Sequence, residues 1–156
     1  MVLIGLVVPV YLSVLSPHRS SGTYRINSRD ASSSGETALT KEEAWNLANL
    51  WVAAWNAHDL DLIMTHYDDT VELTSPVAAQ LLGVPDGKVV GKANLRAYFR
   101  RGLEAFPELH FQLADVLCGM NSVVLYYANQ KGTRTAEFME LSPTGKVARV
   151  VANYCT

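Results

Sequence analysis

Two carboxylates, Asp115 and Glu137, stand in the middle of strand-like runs that are otherwise mostly apolar. A carboxylate on an inward face must find a partner, water or a ligand, because burial disfavours its charge. The same burial raises its pKa, and near neutral pH such a group can act as acid or base. Whether these two face inward depends on strand register. The runs are HFQLADVLC, VVLYYANQ, TRTAEFMEL and KVARVVANY, between Leu109 and Tyr154, separated by GMNS, KG and SPTG. Runs of this kind with turn residues between them predict a four-strand antiparallel meander. A two-residue hairpin at Lys131-Gly132 sets Gln130 opposite Thr133 and Tyr126 opposite Glu137. A second at Met120-Asn121 sets Asp115 opposite Tyr126. Closure at SPTG sets Val150 opposite Glu137. One face then carries Phe111, Leu113, Asp115, Leu117, Val124, Tyr126, Ala128, Thr135, Glu137, Met139, Ala148, Val150, Ala152 and Tyr154. The opposite face holds Val123, Leu125, Tyr127, Val147, Arg149 and Val151. Glu137 is the leading candidate for acid/base work and Asp115 the second. The alternative for Glu137 is a structural carboxylate bonded to Tyr126 or a helix amide.

These strands need helices to cover the inward face. Thr40 and Glu43 form a capping box, and Ala44, Leu47, Ala48, Trp51, Val52 and Trp55 follow at helical spacing. Asn56-Ala57-His58 ends that helix, and Asp59 caps a second through about Tyr67. Asp68-Asp69 reads as a turn, 70–75 as a strand stopped by Pro76, and 77–90 as a loop with a turn of helix at Ala78–Leu82. A third helix runs from Lys92 to Phe106 with Leu95, Tyr98, Phe99, Gly102, Leu103 and Phe106 inward, and Pro107 ends it. Helices gathered on one face of an antiparallel sheet make an α+β layer. A strongly twisted sheet curls around them and leaves a cavity. Trp51, Trp55, Phe99, Met139 and Val150 would wall it, with Tyr67 at its mouth, and Tyr126 and Tyr154 either orient a ligand carbonyl or simply pack. His66 is a weaker candidate, since it titrates in a useful range.

At 156 residues the chain suits one domain with a real core. A net charge of -2 and the lack of a Lys/Arg stripe give no footprint for nucleic acid. Cys118 and Cys155 fall at opposite ends of the meander. They lie about one strand length apart, roughly 26 Å, whereas a disulfide needs Cα atoms within about 7 Å, so both read as free thiols. No Cys/His spacing resembles a metal site. The stretch MVLIGLVVPVYLSVL is apolar, short for a membrane span and interrupted by Pro9. Three readings of it stay open: a weak secretory or anchor segment, a docking tail, and a leader from a misplaced start. Residues 16–39 are rich in Ser, Arg and Asp and read as a disordered linker. The division is therefore 1–39 and a domain at 40–156. The domain is expected in the cytoplasm, away from the membrane, or exported or anchored if 1–15 is a genuine leader.

The stretches WVAAWNAHDLDLIMTHYDDTVELTSP (51–76), VVGKANLRAYF (89–99) and GKV (145–147) resemble the SnoaL-like branch of the nuclear transport factor 2-like superfamily. The resemblance covers about Thr40 to the C-terminus. It implies a cone-shaped α+β barrel, a curved antiparallel sheet wrapped around three helices with an internal pocket. It also implies a homodimer through the convex sheet face; the apolar walls named above suit a small apolar ligand, and no cofactor is expected. The superfamily hosts isomerases, hydrolases, cyclases and non-enzymatic binders on one fold, so fold does not decide activity. In ketosteroid isomerase, a carboxylate base works opposite an oxyanion hole of Tyr and protonated Asp. The resemblance places that base on Leu73 or Ser75, the Tyr on Trp51 and the protonated Asp on Glu137, so only one role survives. The Asp-Arg-Asp relay of its epoxide hydrolases would fall near Tyr126, Ala128 and Asn153, with Glu72 and Thr74 at the Tyr and Asn positions, and is missing. An inward acid on the late strands, as in its polyketide cyclases, is matched by Glu137 or Asp115. A non-catalytic interaction domain with a filled pocket is the alternative.

Overall fold

The computed structural model describes residues 38–155. The apolar stretch 1–15, and the linker except for residues 38 and 39, lie outside the described residues. Helix α1 (Lys41–Asn56) begins at the capping box. Glu43 N–H donates to Thr40 Oγ1 at 3.2 Å, and Thr40 N–H donates to Glu43 Oε2 at 2.9 Å. Two orphan amides of the first turn are satisfied in this way. Helix α2 (Leu60–Met64) is capped by Asp59, whose Oδ1 accepts from Leu62 N–H. Strand β1 (Tyr67–Thr74), helix α3 (Pro76–Leu82), strand β2 (Lys88–Val90) and helix α4 (Lys92–Ala105) follow. Then come β3 (Phe111–Cys118), β4 (Ser122–Asn129), β5 (Arg134–Leu141) and β6 (Val147–Tyr154).

The six strands form one curved sheet in the order β2-β1-β6-β5-β4-β3. Every pairing is antiparallel except β1 with β6, which is parallel. Among the described residues the sheet curves against the helices, as the cone reading expects, and stays open, with β2 and β3 at its edges. Among the described residues four helices accompany it: α1 packs on β3, α4 on β1, and α2 touches both α1 and α4. Residues 68–69, read as a turn, belong to β1. Asp68 Oδ1 accepts from the Thr70 amide and hydroxyl there, and the β1–β6 register shifts between Tyr67 and Glu72. Helix α2 ends three residues before Tyr67, which begins β1 rather than ending a helix. Val89, at the centre of β2, is buried in the core, and this strand lies inside the stretch read as a loop.

The register of the meander differs from the sequence reading by one residue, and this reverses a face. The β4–β5 hairpin closes on Asn129 and Thr133 with three residues between them, not on Gln130 and Thr133 with two. Asn129 N–H donates to the Thr133 carbonyl, and Asn129 Oδ1 accepts from the amides of Lys131 and Thr133. Gly132 closes the loop at φ +78°, the left-handed residue of a three-residue hairpin. Leu125 therefore pairs with Glu137, and Tyr126 with Ala136. Asp115 does pair with Tyr126, but a bulge after Leu113 turns Val116 inward, and Asp115 and Tyr126 lie together on the outer face. Val123, Leu125, Tyr127 and Val147, assigned outward from sequence, are core residues. The outer face carries Leu117, Val124, Tyr126 and Phe138 in their place, with Arg149 and Val151 outward as expected. On β6, Ala152 faces Glu137 and Val150 faces Met139. This is two residues from the expected pairing, so parity and facing are kept.

Candidate functional site

The inward face of the sheet and the helices enclose a cavity of about 260 Å³. Its walls come from several parts of the chain, Leu109 before β3 among them. Helix α1 supplies Trp51 and Trp55, four residues apart and so on one side of the helix. Helix α4 adds Tyr98, Phe99, Gly102 and, at its end, Phe106. The end of β1 brings Leu73 and Ser75, and α3 brings Val77 and Leu81. The meander contributes Phe111, Tyr127, Thr135, Glu137, Ala152 and Tyr154, and the β4–β5 hairpin contributes Asn129, Gln130 and Lys131. The aromatic wall is continuous. Trp51 stacks on Phe111 at 5.6 Å between ring centroids, Trp55 meets the edge of Phe99 at 4.8 Å, and Phe111 lies 4.6 Å from Tyr127. Asn56, at the last turn of α1, fixes β3 beneath this wall. Its Oδ1 accepts from Phe111 N–H at 2.7 Å, and its Nδ2 donates to the Phe111 carbonyl at 2.9 Å. His58, held at φ +53°, donates from Nε2 to the Leu109 carbonyl. The Asn-Ala-His segment is therefore a clamp as well as a helix stop.

Glu137 is the one carboxylate on the cavity wall among the described residues, and only 6% of its surface is exposed. Tyr127 Oη donates to its Oε2 at 2.6 Å. The other oxygen, Oε1, has no hydrogen-bond partner among the described residues. It is not sealed in protein either, since the fully enclosed side-chain polar atoms without partners are the indole nitrogens of Trp45 and Trp55. Burial pushes the Glu137 carboxyl up to about 7, and the Tyr127 hydrogen bond holds it back. Burial, and then the Glu137 charge, raise both Tyr127 and Tyr154 well above the ordinary tyrosine range, so their hydroxyls remain donors. Tyr154 Oη lies 3.4 Å from Ser75 Oγ. Ser75 is 2% exposed and caps α3 through the amides of Val77 and Ala78. Lys131 is the one cationic side chain on the cavity wall among the described residues, and it stands at the hairpin.

Of the residues singled out in sequence, Glu137, Trp51, Trp55, Phe99 and Tyr154 come together on this cavity. Tyr67, Met139 and Val150 are fully buried in the core. Tyr67 Oη accepts from Trp51 Nε1 at 2.8 Å, which fixes the indole that walls the cavity. Asp115 and Tyr126 are on the other face of the sheet, for the register reason given above. His66 is half-buried, and desolvation followed by the Lys146 charge lowers its pKa. It is not a lining residue of this cavity. Tyr127 and Thr135 take the places beside Glu137. The signal for Tyr127 was the segment Asn129-Gln130-Lys131-Gly132, which closes a three-residue loop with Gly at its last position. Leu73 and Ser75, the two positions offered for an isomerase base, do line the cavity, but neither side chain is an acid. The described residues contain no group of three or more His, Cys, Asp or Glu that could hold a metal ion. The thiols of Cys118 and Cys155 are free and exposed. No helix among the described residues is long and apolar enough to cross a membrane.

Comparison with known proteins accords with this architecture. The family profile of the SnoaL-like domain matches residues 48–155. A SnoaL-like protein of unknown function from Burkholderia thailandensis E264 is 37% identical, with a TM-score of 0.73 over 76% of this chain and 99% of that one. The epoxide hydrolase/cyclase-like enzyme SalBIII, of pyran ring formation in the polyether salinomycin, shares the fold at 18% identity. Its TM-score is 0.58 over 74% of this chain and 93% of SalBIII. An NTF-2 like protein of unknown function from Burkholderia xenovorans LB400 shares it at 21% identity and a TM-score of 0.58, over 73% and 84%. The search of curated proteins found no match. The chain belongs to the SnoaL-like family of the nuclear transport factor 2-like fold.

Proposed function

We propose that this protein binds a small, largely apolar molecule in the cavity and moves a proton on it through Glu137. One observation carries the reading: a buried carboxyl on the cavity wall, with one oxygen held by Tyr127 and the other free. Its protonation midpoint near neutrality lets it serve as base in one step and acid in the next. The step it suits is removal of a proton from the carbon beside a carbonyl, followed by its return to the same or a conjugated carbon. Electrons released from the C–H bond collect on the carbonyl oxygen, where a tyrosine hydroxyl can donate. At about 260 Å³ the cavity falls just below the usual range of ligand sites, roughly 300 to 1,000 Å³, so it suits a compact molecule. An open cavity does not favour the alternative of a filled pocket serving only as scaffold.

The test begins with native mass spectrometry of the wild type and Glu137→Gln purified side by side from the natural host. The proposal expects a small molecule retained by the wild type, and proton exchange of that molecule in heavy water that the wild type accelerates and the variant does not. Retention by both proteins with no accelerated exchange would reduce the protein to a binder. Absence of any retained molecule, together with no exchange on small cyclic ketones, would remove the proposal.

A further inference from the structure

Strand side chains alternate between faces, so Thr135 and Glu137 are successive residues on the inner face of β5. Both line the cavity and both are more than nine-tenths buried, at 3% and 6% exposure. Thr135 sits in the middle of a cross-strand row, with Tyr127 opposite on β4 and Tyr154 opposite on β6. Each of those tyrosines has a partner, Glu137 for Tyr127 and Ser75 for Tyr154. The Thr135 hydroxyl has none among the described residues. It is not an enclosed orphan, a condition confined there to the indole nitrogens of Trp45 and Trp55. It therefore presents a free donor and acceptor to the cavity. A ligand that displaces cavity water from this hydroxyl without bonding to it leaves it desolvated, whereas valine in the same volume would carry no such cost.

We infer that Thr135 reads a second polar function of the ligand, so that the molecule meeting Glu137 is a compact apolar skeleton bearing two oxygen functions. The inference rests on the cavity being a small-molecule site. Same-face neighbours on a strand are about 6.6 Å apart, and side-chain reach places the two ligand oxygens roughly 3–6 Å from each other. Opposite positions of a six-membered ring satisfy this. A molecule with one oxygen leaves either Thr135 or Glu137 without its bond.

The experiment is isothermal titration of the full chain with two probes, α-tetralone and its counterpart carrying a hydroxyl across the ring from the carbonyl. Wild type should bind the hydroxylated probe about tenfold more tightly, the worth of roughly one added hydrogen bond. Thr135→Val should abolish that preference, with the Kd of α-tetralone falling rather than rising. Thr135→Ser should keep the preference. If the valine variant does not fold, Thr135→Ala should show the same loss. An unchanged preference in Thr135→Val or Thr135→Ala overturns the role of Thr135 alone. The underlying reading is scored separately, on α-tetralone with Glu137→Gln, which should weaken binding whatever occupies position 135. Failure of wild type to bind either probe overturns both.

Discussion

Replacing Glu137 by Gln should remove one pH dependence of stability and leave the others in place. The Glu137 carboxyl moves from 4.5 to about 7 on folding, because burial penalises its charge. Below pH 4.5 both folded and unfolded chains hold this proton, and its contribution to stability is fully present. As the pH rises from 4.5 toward 7 the unfolded chain gives up the proton while the folded chain keeps it, so stability falls. Above 7 the folded chain ionises too and the loss levels off. A shift of this size corresponds to roughly 3 kcal/mol. In a domain of about this length that amounts to a difference in Tm on the order of 10 °C. Glutamine keeps an oxygen for the Tyr127 hydroxyl and has no proton to lose. Glu43 and Asp68, exposed and held below the carboxylate range by their hydrogen bonds with Thr40 and Thr70, have the opposite sign. They are common to both proteins and cancel in the double difference. The assay is urea unfolding of both proteins at pH 5 and pH 8. The variant should gain on the wild type by a few kcal/mol between the two pH values. Parallel curves would refute the reasoning, because they would mean that Glu137 is charged in both states or exposed to water.

Tyr127→Phe removes the hydrogen bond that holds the Glu137 carboxyl down, so its midpoint should move above about 7. Any Glu137-dependent activity profile, or a carboxyl infrared titration, would report the alkaline shift. Gly87→Ala should cost on the order of 1–3 kcal/mol in urea unfolding. Gly87 sits at φ +63°, and an added Cβ would lie 2.5 Å from the Ser75 carbonyl oxygen, displacing the wall that Ser75 builds. The outer sheet face, with Leu117 60% exposed beside Val124 and Phe138, should make a homodimer. Light scattering should give twice the chain mass, and Phe138→Glu should give one chain mass with the Tm little changed. Asp115→Asn, on that same outer face, should leave ligand binding in the cavity unaltered, as titration with α-tetralone would show.

The order of helices and meander strands was legible because their signals are local. The Thr40–Glu43 capping box, the α1 apolar spacing and the turn residues of the late hairpins each act within a few residues. Glu137 was legible for the same reason, since β5 alternates Thr135, Glu137 and Met139 against Arg134, Ala136 and Phe138, and either neighbour pairing keeps that set together. What was lost depended on register. VVLYYAN carries apolar side chains and a tyrosine on both faces, so alternation alone cannot choose Tyr126 or Tyr127. The choice lay in Asn129, whose side chain takes two loop amides and lengthens the hairpin by one residue. Strand β2 was hidden because three residues form it, and their pairing with β1 is a long-range fact. The inward turn of Val116 comes from a bulge that no residue type in Leu113-Ala114-Asp115 announces.

The most direct test of the account is a carbon-13 NMR titration of the Glu137 side-chain carboxyl in the folded protein, assigned by its absence in Glu137→Gln. The account predicts a midpoint near 7 that changes when α-tetralone binds. A midpoint near the ordinary glutamate value of about 4.3, unmoved by the probe, would contradict it.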